Sequence, residues 1–536
     1  MTTPLIVAAQ SGPCPRFAAG ATVVNPPALF SQGGSLTVNL AYQTAQDAEG
    51  RILYCFTTPN GAESPTLHLH PGDHLKINVK NDLPAPVSSS SMQMATNASL
   101  TCGSSMMNAS SVNIHYHGTN VAPSCHQDEV IHTIINPGET FSYNVAFPAD
   151  EPPGLYWYHP HIHGIAEPAV QGGASGVIVI DGIEILQPAV AELPQRILII
   201  RDQVVAGNPM PGGAVPAWDL TLNYVPIAYP ALTPAVIKMA PGKKQFWRVA
   251  NASADTILDL QVIYDGKPQQ ISLVALDGVP VGSQDGTRRG KLIPVSDLRL
   301  PPASRMEFIV EGPAATVKSA QFITQAINTG PDGDNDTRRV LANIEPVGDT
   351  IGPDAQINAK VSEPVRQSES VHQRFEGLAE AAIATRRALY FSENSDQTKF
   401  FITVDGQKPE VFAPDNPPAI ETTQGSVEEW TIQNRAQENH EFHIHQIHFM
   451  VMSQNDFQIN GSHPVQAIQG QLLDMIEIPF WDGNPAHPYP SVTIRMDFRG
   501  HDIGDFVFHC HILNHEDQGM MAIIRVLPGP ATTPAP

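Results

Sequence analysis

The chain carries three short segments in which polar and apolar positions alternate in the same way. They read GDHLKINVKN at 72–81, GKKQFWRVAN at 242–251 and GSVEEWTIQN at 425–434. Each begins with glycine, has valine or isoleucine at its eighth position and ends with asparagine at its tenth. Such alternation between turn-forming residues predicts a β-strand with a turn at each end. Because the pattern recurs at intervals of 170 and 183 residues, it predicts three copies of one domain.

A second pattern is shared by the outer two copies and is missing from the middle one. The segment GLYWYHPH at 154–161 matches GDFVFHCH at 504–511, with glycine five residues before the first histidine in both. All 21 histidines lie outside the interval between His163 and His372. We therefore expect the chemistry to lie where the first and third domains meet, with the middle domain as a spacer that carries no metal ligands.

Breaks in these patterns divide the chain. We predict a first domain at 1–182, a second at 187–346, a polar linker at 347–385, a third domain at 386–528 and a disordered tail at 529–536.

Two further segments have a distinctive composition. The segment 375–391, FEGLAEAAIATRRALYF, is rich in alanine and leucine and favours a short helix. The Ser/Asn/Met-rich segment 88–111 predicts a long surface loop. Its methionines could also bind Cu(I) through their thioethers.

Composition favours an all-β fold and argues against several partners. The 49 prolines and 40 glycines punctuate many short elements and penalise long helices. The net charge of −23 argues against nucleic acid and anionic membrane surfaces as partners. No run of 18 apolar residues is present, so we expect no membrane insertion. The N-terminal sequence MTTPLIVAAQSGPCP lacks a basic leader and does not predict an intact secretory signal.

Four His-x-His pairs are the strongest chemical signal in the sequence. Residues i and i+2 of a strand share one face, so each pair presents two imidazoles side by side. Eight imidazoles in mirrored positions of two related domains exceed what one mononuclear metal needs. The pairs are His115 and His117, His159 and His161, His443 and His445, and His509 and His511.

Cys510 stands between two of these histidines, so its thiol points to the opposite face of the strand. His440, His515 and Met520 stand 70 residues before it, five after it and ten after it. Two imidazoles, a thiolate and a weak axial thioether form the ligand set of a blue-copper electron-transfer centre. The sequence therefore predicts a copper site on one face of this strand and a histidine cluster on the other.

Together, HYHG (115–118), HPH (159–161), HEFHIH (440–445) and HCHILNHEDQGM (509–520) resemble the four copper signatures of the three-domain multicopper oxidases, closest to bacterial laccase-like members. The resemblance implies three tandem cupredoxin-like Greek-key β-barrel domains and four coppers per chain. It implies type 1 ligands His440, Cys510, His515 and Met520, and type 2 ligands His115 and His443. The implied type 3 ligands are His117, His159, His161, His445, His509 and His511.

The resemblance also implies an activity. Phenolic, aromatic or similar small-molecule reductants would be oxidised one electron at a time at the type 1 copper, and dioxygen would be reduced to water by four electrons at the trinuclear cluster. Asp128 and Glu516 match acidic positions that relatives use for proton delivery. A cuprous oxidase active in copper tolerance, a bilirubin-oxidase-like enzyme and a copper-free structural protein of the same fold remain as alternatives.

The remaining cysteines and histidines give weaker signals. Cys14, Cys55, Cys102 and Cys125 allow three disulfide pairings, and oxidised cysteines would imply a periplasmic or secreted protein. His68 and His70 form a fifth pair without a counterpart in the third domain. His163 could replace His159 as a ligand. Oligomeric state and physiological substrate are left open by the sequence.

Overall fold

The chain folds into three β-domains in succession, each built mainly from two sheets. The structure is a computed structural model that describes residues 12–86, 102–282, 291–347, 374–457 and 466–529. Within these ranges the helices are short: α1 (Ala166–Gln171), α2 (Ile183–Leu186), α3 (Leu513–Asp517), and 3-10 turns at Pro188–Val190, Leu378–Glu380 and Gln466–Ile468. The predicted fold class, three tandem cupredoxin-like domains, is confirmed.

The first domain has a five-stranded and a four-stranded sheet whose inner faces share one apolar core. Two short strands form a separate pair near the Cys102–Cys125 disulfide. The strands are β1 (Ala28–Phe30), β2 (Ser35–Gln46), β3 (Ile52–Thr57), β4 (Thr66–Leu69), β5 (His74–Asn81), β6 (Cys102–Gly103), β7 (His115–His117), β8 (Thr133–Ile134), β9 (Thr140–Ala146), β10 (Gly154–His159) and β11 (Gly176–Ile180).

The middle domain has an eight-stranded and a six-stranded sheet. Its strands are β12 (Gln195–Val204), β13 (Trp218–Leu222), β14 (Val225–Ile227), β15 (Ala235–Met239), β16 (Lys244–Asn251), β17 (Leu258–Tyr264), β18 (Lys267–Pro268), β19 (Ile271–Leu276), β20 (Val279–Pro280), β21 (Ile293–Val295), β22 (Leu298–Leu300), β23 (Arg305–Glu311), β24 (Ala320–Thr324) and β25 (Arg339–Pro346).

The last domain has a six-stranded and a five-stranded sheet. One continuous apolar cluster joins its core to that of the middle domain. Its strands are β26 (Thr385–Glu393), β27 (Phe400–Val404), β28 (Ile420–Thr423), β29 (Val427–Asn434), β30 (His440–Ile444), β31 (Phe449–Asn455), β32 (Leu472–Leu473), β33 (Met475–Ile478), β34 (Ser491–Asp497), β35 (Gly504–Cys510) and β36 (Met521–Leu527).

The repeated sequence segment occupies the same place in one sheet of each domain. Strands β5, β16 and β29 each lie between a parallel neighbour (β2, β12 and β26) and an antiparallel neighbour (β9, β23 and β34). The three segments are strands, as predicted. In β5 the alternation buries the apolar residues Leu75, Ile77 and Val79, while the residues between them face outward. The domain boundaries stay predictions, and most of the linker and tail lies outside the described residues.

The predicted helix at 375–391 is wrong. The segment contains a single 3-10 turn, and its second half is strand β26. This strand pairs in parallel with β29, and Arg387 Nε donates to Glu428 at 2.7 Å across that pair. Sheet pairing thus outweighs the local helix propensity of alanine and leucine. No helix in the described ranges is long and apolar enough to cross a membrane.

Candidate metal centres

Two matching strand pairs carry the histidine motifs. In the first domain, β7 runs antiparallel to β10 with His115 opposite His159. In the last domain, β30 runs antiparallel to β35 with His443 opposite His509. These strands, with His161, His445 and His511 just past the ends of β10, β30 and β35, present two His-x-His motifs from each domain toward the other.

The eight imidazoles form one buried cluster at the contact between the first and last domains. Every one of these residues is at most 2% exposed. They fall into three groups of three, with His117 shared, in which the ligand atoms lie within 4.8 Å of one another, and both domains contribute to each group. The groups are His115, His117 and His443; His117, His159 and His511; and His161, His445 and His509.

The chemistry of this cluster fits metal ions. Burial lowers the pKa of all eight imidazoles, so they are neutral and each retains one nitrogen lone pair. The Nε2 atoms of His161 and His445 lie 3.3 Å and 3.2 Å from Nε2 of His509, an arrangement that brings lone pairs together. Nε2 of His115 and Nε2 of His443 have no hydrogen-bond partner among the described residues. Converging neutral imidazoles are ligands suited to copper.

The other ring nitrogens are held by hydrogen bonds that fix each ring. Nδ1 of His443 donates to the Asp474 carbonyl at 2.8 Å, and Nδ1 of His509 donates to the Cys510 carbonyl at 2.8 Å. Nδ1 of His115 lies 3.0 Å from both carboxylate oxygens of Asp128. Such contacts orient a ligating imidazole and set which nitrogen faces the metal.

The middle domain reaches this cluster through Arg305. Its guanidinium binds the Asp474 carboxylate at two points, 2.8 Å and 2.5 Å, and both side chains are fully buried. The same carboxylate lies 3.2 Å from Nε2 of His117. Gly118, the glycine of HYHG, has φ of 80°, and a Cβ there would collide with Arg305 and Asp474. The glycine of the motif is thus explained by the close approach of this ion pair.

A second centre is built around Cys510, the one free cysteine, which is buried. Its Sγ lies 3.7 Å from Nδ1 of His440 and of His515, and those two nitrogens are 3.1 Å apart. Burial raises the pKa of the Cys510 thiol, so a bound cation would be needed to hold it as thiolate. Met520 is fully buried, and its carbonyl accepts the Cys510 N–H at 3.1 Å. The grouping of His440, Cys510 and His515 fits a copper site, and ligation by the Met520 thioether stays a prediction.

The two centres are joined by the backbone itself. Cys510 belongs to the sulfur centre, while its neighbours His509 and His511 each belong to a group of three in the histidine cluster. The histidines therefore lie on one side of this strand and the sulfur on the other. A few covalent bonds connect the two centres.

The two predicted proton-delivery residues both contact the histidine cluster. Asp128 is buried beside His115, accepts from Gln446 at 2.6 Å, and burial raises its pKa to about 7. Glu516 lies 3.1 Å from Nδ1 of His509 and 3.7 Å from Nδ1 of His161. Burial raises the pKa of Glu516 well above its usual value. Both carboxyls are therefore placed to hold a proton next to the cluster.

A cavity of about 290 Å³ lies beside His515, between the middle and last domains. Its walls include Trp218 from the middle domain and Phe400 from the last domain. Sequence motifs gave no indication of it, because most of its lining residues come from separate loops. Sequence analysis also missed Asp474 and Arg305, because neither belongs to a sequence motif.

The structure accounts for several of the weaker histidine and cysteine signals in the sequence. Nδ1 of His68 lies 3.2 Å from both carboxylate oxygens of Asp181, and the His68 ring stacks on Phe30. These contacts give His68 structural partners. His163 packs against Phe412 and joins none of the histidine groups described above. The disulfides pair Cys14 with Cys55 and Cys102 with Cys125.

The methionines of the segment 88–111 are only partly described. Met106 is exposed and Met107 is buried, whereas Met92 and Met94 lie outside the described residues. Cu(I) binding by this segment stays a prediction.

Comparison with known proteins gives a consistent picture. Two family models, both described as multicopper oxidase, match residues 385–530 and 97–184. A multicopper oxidase of Staphylococcus haemolyticus is 23% identical over 470 residues, 86% of this chain and 81% of that protein. A laccase of Bacillus subtilis is 23% identical over 400 residues, covering 70% of this chain and 71% of the laccase. The structure of a multicopper oxidase from Campylobacter jejuni, described as a metallo-oxidase, superposes with a TM-score of 0.66 at 22% identity, covering 95% and 96% of the two chains.

Proposed function

The chain belongs to the multicopper oxidase family, and we propose that it couples oxidation of small aromatic or similar reductants to reduction of dioxygen to water. One observation carries this proposal. Eight neutral imidazoles from two domains enclose a buried site, and a cysteine flanked by two of them belongs to a separate sulfur centre. That arrangement supports one-electron oxidation at one place and multi-electron reduction at another.

The electron balance requires two such centres. Four donor molecules each lose one electron, and one dioxygen takes up four electrons and four protons to give two water molecules. Copper bound at these ligands would accept single electrons at the sulfur centre and supply them to dioxygen at the histidine cluster. We propose that His440, Cys510, His515 and Met520 hold the first ion and that the eight histidines hold the other three.

The chain's own residues separate the two half-reactions. His515 lines the 290 Å³ cavity, so its ring edge is the part of the sulfur centre that a donor can approach. The eight clustered histidines are buried and out of reach of a ring-sized molecule. Because donor and dioxygen use different sites, partly reduced oxygen is kept away from the organic substrate.

Asp128 and Glu516 are proposed to hold the protons that dioxygen reduction consumes. Each carboxyl lies within 3.1 Å of a ring nitrogen of the cluster. Burial raises the pKa of both, so the protonated form persists at a pH where an exposed carboxyl would be ionised. A carboxyl in this state can donate a proton and be recharged from solvent.

We also propose that the protein works in the periplasm or outside the cell. The two disulfides support this location, since such bonds are rare in reducing compartments.

Metal analysis and oxygen stoichiometry test the proposed function. Copper-loaded protein should contain four coppers per chain, be blue, and consume one dioxygen for every four molecules of a one-electron phenolic or dye substrate. Cys510→Ser should abolish the blue colour and lower the copper content by one. Zinc in fully loaded protein, or colourless protein with one copper, would refute the proposal. Rates with Cu(I) in the same assay test the cuprous oxidase alternative.

A further inference from the structure

The cavity beside His515 has walls suited to a planar ring. Phe400 stacks on the His515 ring with centroids 4.2 Å apart and an angle of 13° between planes. Trp218 and the aliphatic Ile257 and Ile512 also line it. A volume of about 290 Å³ accommodates a molecule with one or two rings, at the lower end of the range for small-ligand sites.

The charge of the lining has one sign. Among the described residues that line this cavity there is no lysine or arginine. The carboxylates in its wall come from the middle and last domains and are Asp255, Asp332, Asp334, Asp336 and Glu438. Charges of one sign in a cleft with low-dielectric walls attract ligands of the opposite sign.

Two of these carboxylates have oxygens without a hydrogen-bond partner. Asp336 is 5% exposed, and its Oδ2 accepts the Ile257 N–H at 3.1 Å, while its Oδ1 has no partner among the described residues. Glu438 is 6% exposed, and its Oε1, which lies 3.4 Å from Nε2 of His515, is likewise without a hydrogen bond. A buried carboxylate oxygen left unpaired is costly unless a ligand satisfies it.

The protein supplies only partial compensation for this charge. Arg339, buried behind the cavity wall, attracts Asp336. Burial, followed by repulsion from Asp334, nevertheless raises the pKa of Asp336 well above its usual value. Asp334 accepts a hydrogen bond from Trp218 Nε1 at 2.7 Å, and this donor carries no charge. A cation inside the cavity would remove this repulsion.

We propose that the cavity is a binding site for cationic aromatic electron donors, such as arylammonium compounds, with the cationic group held by Asp336 and Glu438 and the ring beside Phe400 and His515. This inference rests on the proposed function and specifies its substrate class. Each bound donor is oxidised by one electron at the His515 edge, and dioxygen is the final acceptor with the balance given above. A bare metal ion would use the carboxylates but would leave the aromatic walls and most of the volume unused.

Binding is tested first, without turnover. Calorimetric titration of the copper-loaded protein should detect the redox-inert aromatic cation benzyltrimethylammonium, and benzenesulfonate, an anion of similar ring size, should not bind. Asp336→Asn should weaken binding of the cation by about tenfold, since asparagine cannot ionise to pair with the bound cation. Asp334→Asn, at a less buried position, provides a second variant should Asp336→Asn fail to fold. Glu192→Gln removes an exposed carboxylate outside the cavity and should leave binding unchanged.

Kinetics give the second test, with ferrocene derivatives of fixed charge as donors. For (ferrocenylmethyl)trimethylammonium, kcat/KM should fall about tenfold in Asp336→Asn, whereas for ferrocenesulfonate it should stay level or rise. Comparing each donor with itself across variants removes the difference in their potentials. Equal changes for both donors would overturn the proposal, as would binding of Mn²⁺ but not of benzyltrimethylammonium.

Failure of this inference is distinguishable from failure of the proposed function. Neutral hydroxymethylferrocene lacks the cationic group but carries the same oxidisable centre. If it is oxidised with four-to-one oxygen stoichiometry while the cation shows no preference, the oxidase activity stands and the substrate class is wrong. If none of the donors supports oxygen consumption, the proposed function itself fails.

Discussion

Replacing Arg305 by methionine tests how the middle domain supports the histidine cluster. The guanidinium makes a two-point contact with Asp474 at 2.8 Å and 2.5 Å, and it also donates to the Leu155 and Ala303 carbonyls at 3.2 Å and 3.0 Å. Methionine fills a similar volume without charge. The Asp474 carboxylate would then be a buried charge without its cation.

The magnitude follows from burial of the pair. Both side chains are 0% exposed, so solvent cannot replace the lost partner. Removing one member of a buried ion pair typically costs about 3–5 kcal/mol. The Asp474 carbonyl and carboxylate also hold His443 and His117, so a displaced Asp474 disturbs the orientation of two predicted ligands. Loss of such supporting contacts lowers metal affinity by about 10–100-fold.

Two measurements separate these effects. Urea unfolding of the copper-free protein reports the free energy of unfolding without a contribution from bound metal. Copper retention during dialysis against a chelator reports the loss of copper from the whole cluster, and paramagnetic resonance of the type 2 signal reports the change at His443. The matched control is Arg386→Met, because the Arg386 side chain is 71% exposed and its pair with Glu429 should contribute less than about 1 kcal/mol.

A double variant sharpens the test. Arg305→Met combined with Asp474→Met removes both charges, so stability should recover toward that of the parent. The carboxylate contact to His117 is absent in this double variant, so copper retention should stay low. A loss of less than about 1 kcal/mol in the single variant, or no recovery in the double variant, would refute the reasoning.

Three further variants have expected outcomes. Glu516→Gln should slow dioxygen reduction at least tenfold while anaerobic reduction by donor is unchanged, as measured by stopped-flow spectroscopy; an unslowed oxygen reaction would remove the proton role. Met520→Leu should raise the reduction potential of the blue centre in a redox titration, and a constant or lower potential would contradict axial thioether ligation. Replacing Cys102 and Cys125 by serine opens a disulfide with a sequence separation of 23 residues and should lower the free energy of unfolding by about 3 kcal/mol; an unchanged urea midpoint would contradict this.

Local sequence patterns predicted the parts of this molecule that depend on neighbouring residues. The His-x-His spacing predicted two imidazoles on one face of a strand because the pleat has a period of two. Both members lie within the strand only for His115 and His117, whereas His161, His445 and His511 lie just past the ends of β10, β30 and β35. The glycine-to-asparagine repeat identified the equivalent strands β5, β16 and β29. The copper type of each ligand is still a prediction, and His117, predicted as a type 3 ligand, lies in a group with His115 and His443 as well as in a group with His159 and His511.

Features that depend on distant parts of the chain escaped prediction. Arg305 and Asp474 are 169 residues apart and belong to no motif, so their pairing is visible only in the folded protein. The proposed role of Asp336 and Glu438 depends on the cavity that both line, which their sequence neighbours do not reveal. The segment 375–391 was predicted as helix because its composition was considered without the adjacent strand β29.

The disulfides illustrate a third kind of limit. Four cysteines allow three pairings, and the sequence left the choice open, although Cys102 and Cys125 flank the HYHG strand and could pair, as could Cys14 and Cys55. In the fold, the Cα atoms of Cys14 and Cys55 are 5.7 Å apart, and those of Cys102 and Cys125 are 5.6 Å apart. Both separations suit a disulfide, so three-dimensional proximity decides the pairing.

Each histidine group is shared between the first and last domains, and this constrains how the protein matures. His161 and His509 meet although 348 residues separate them. A nascent chain that has left the ribosome only as far as its first domain therefore offers two of the three histidines in two of these groups and one of the three in the last group. Each group of three is completed only once the last domain has been made and has docked against the first, and a product terminated before strand β30 would lack at least one histidine of every group.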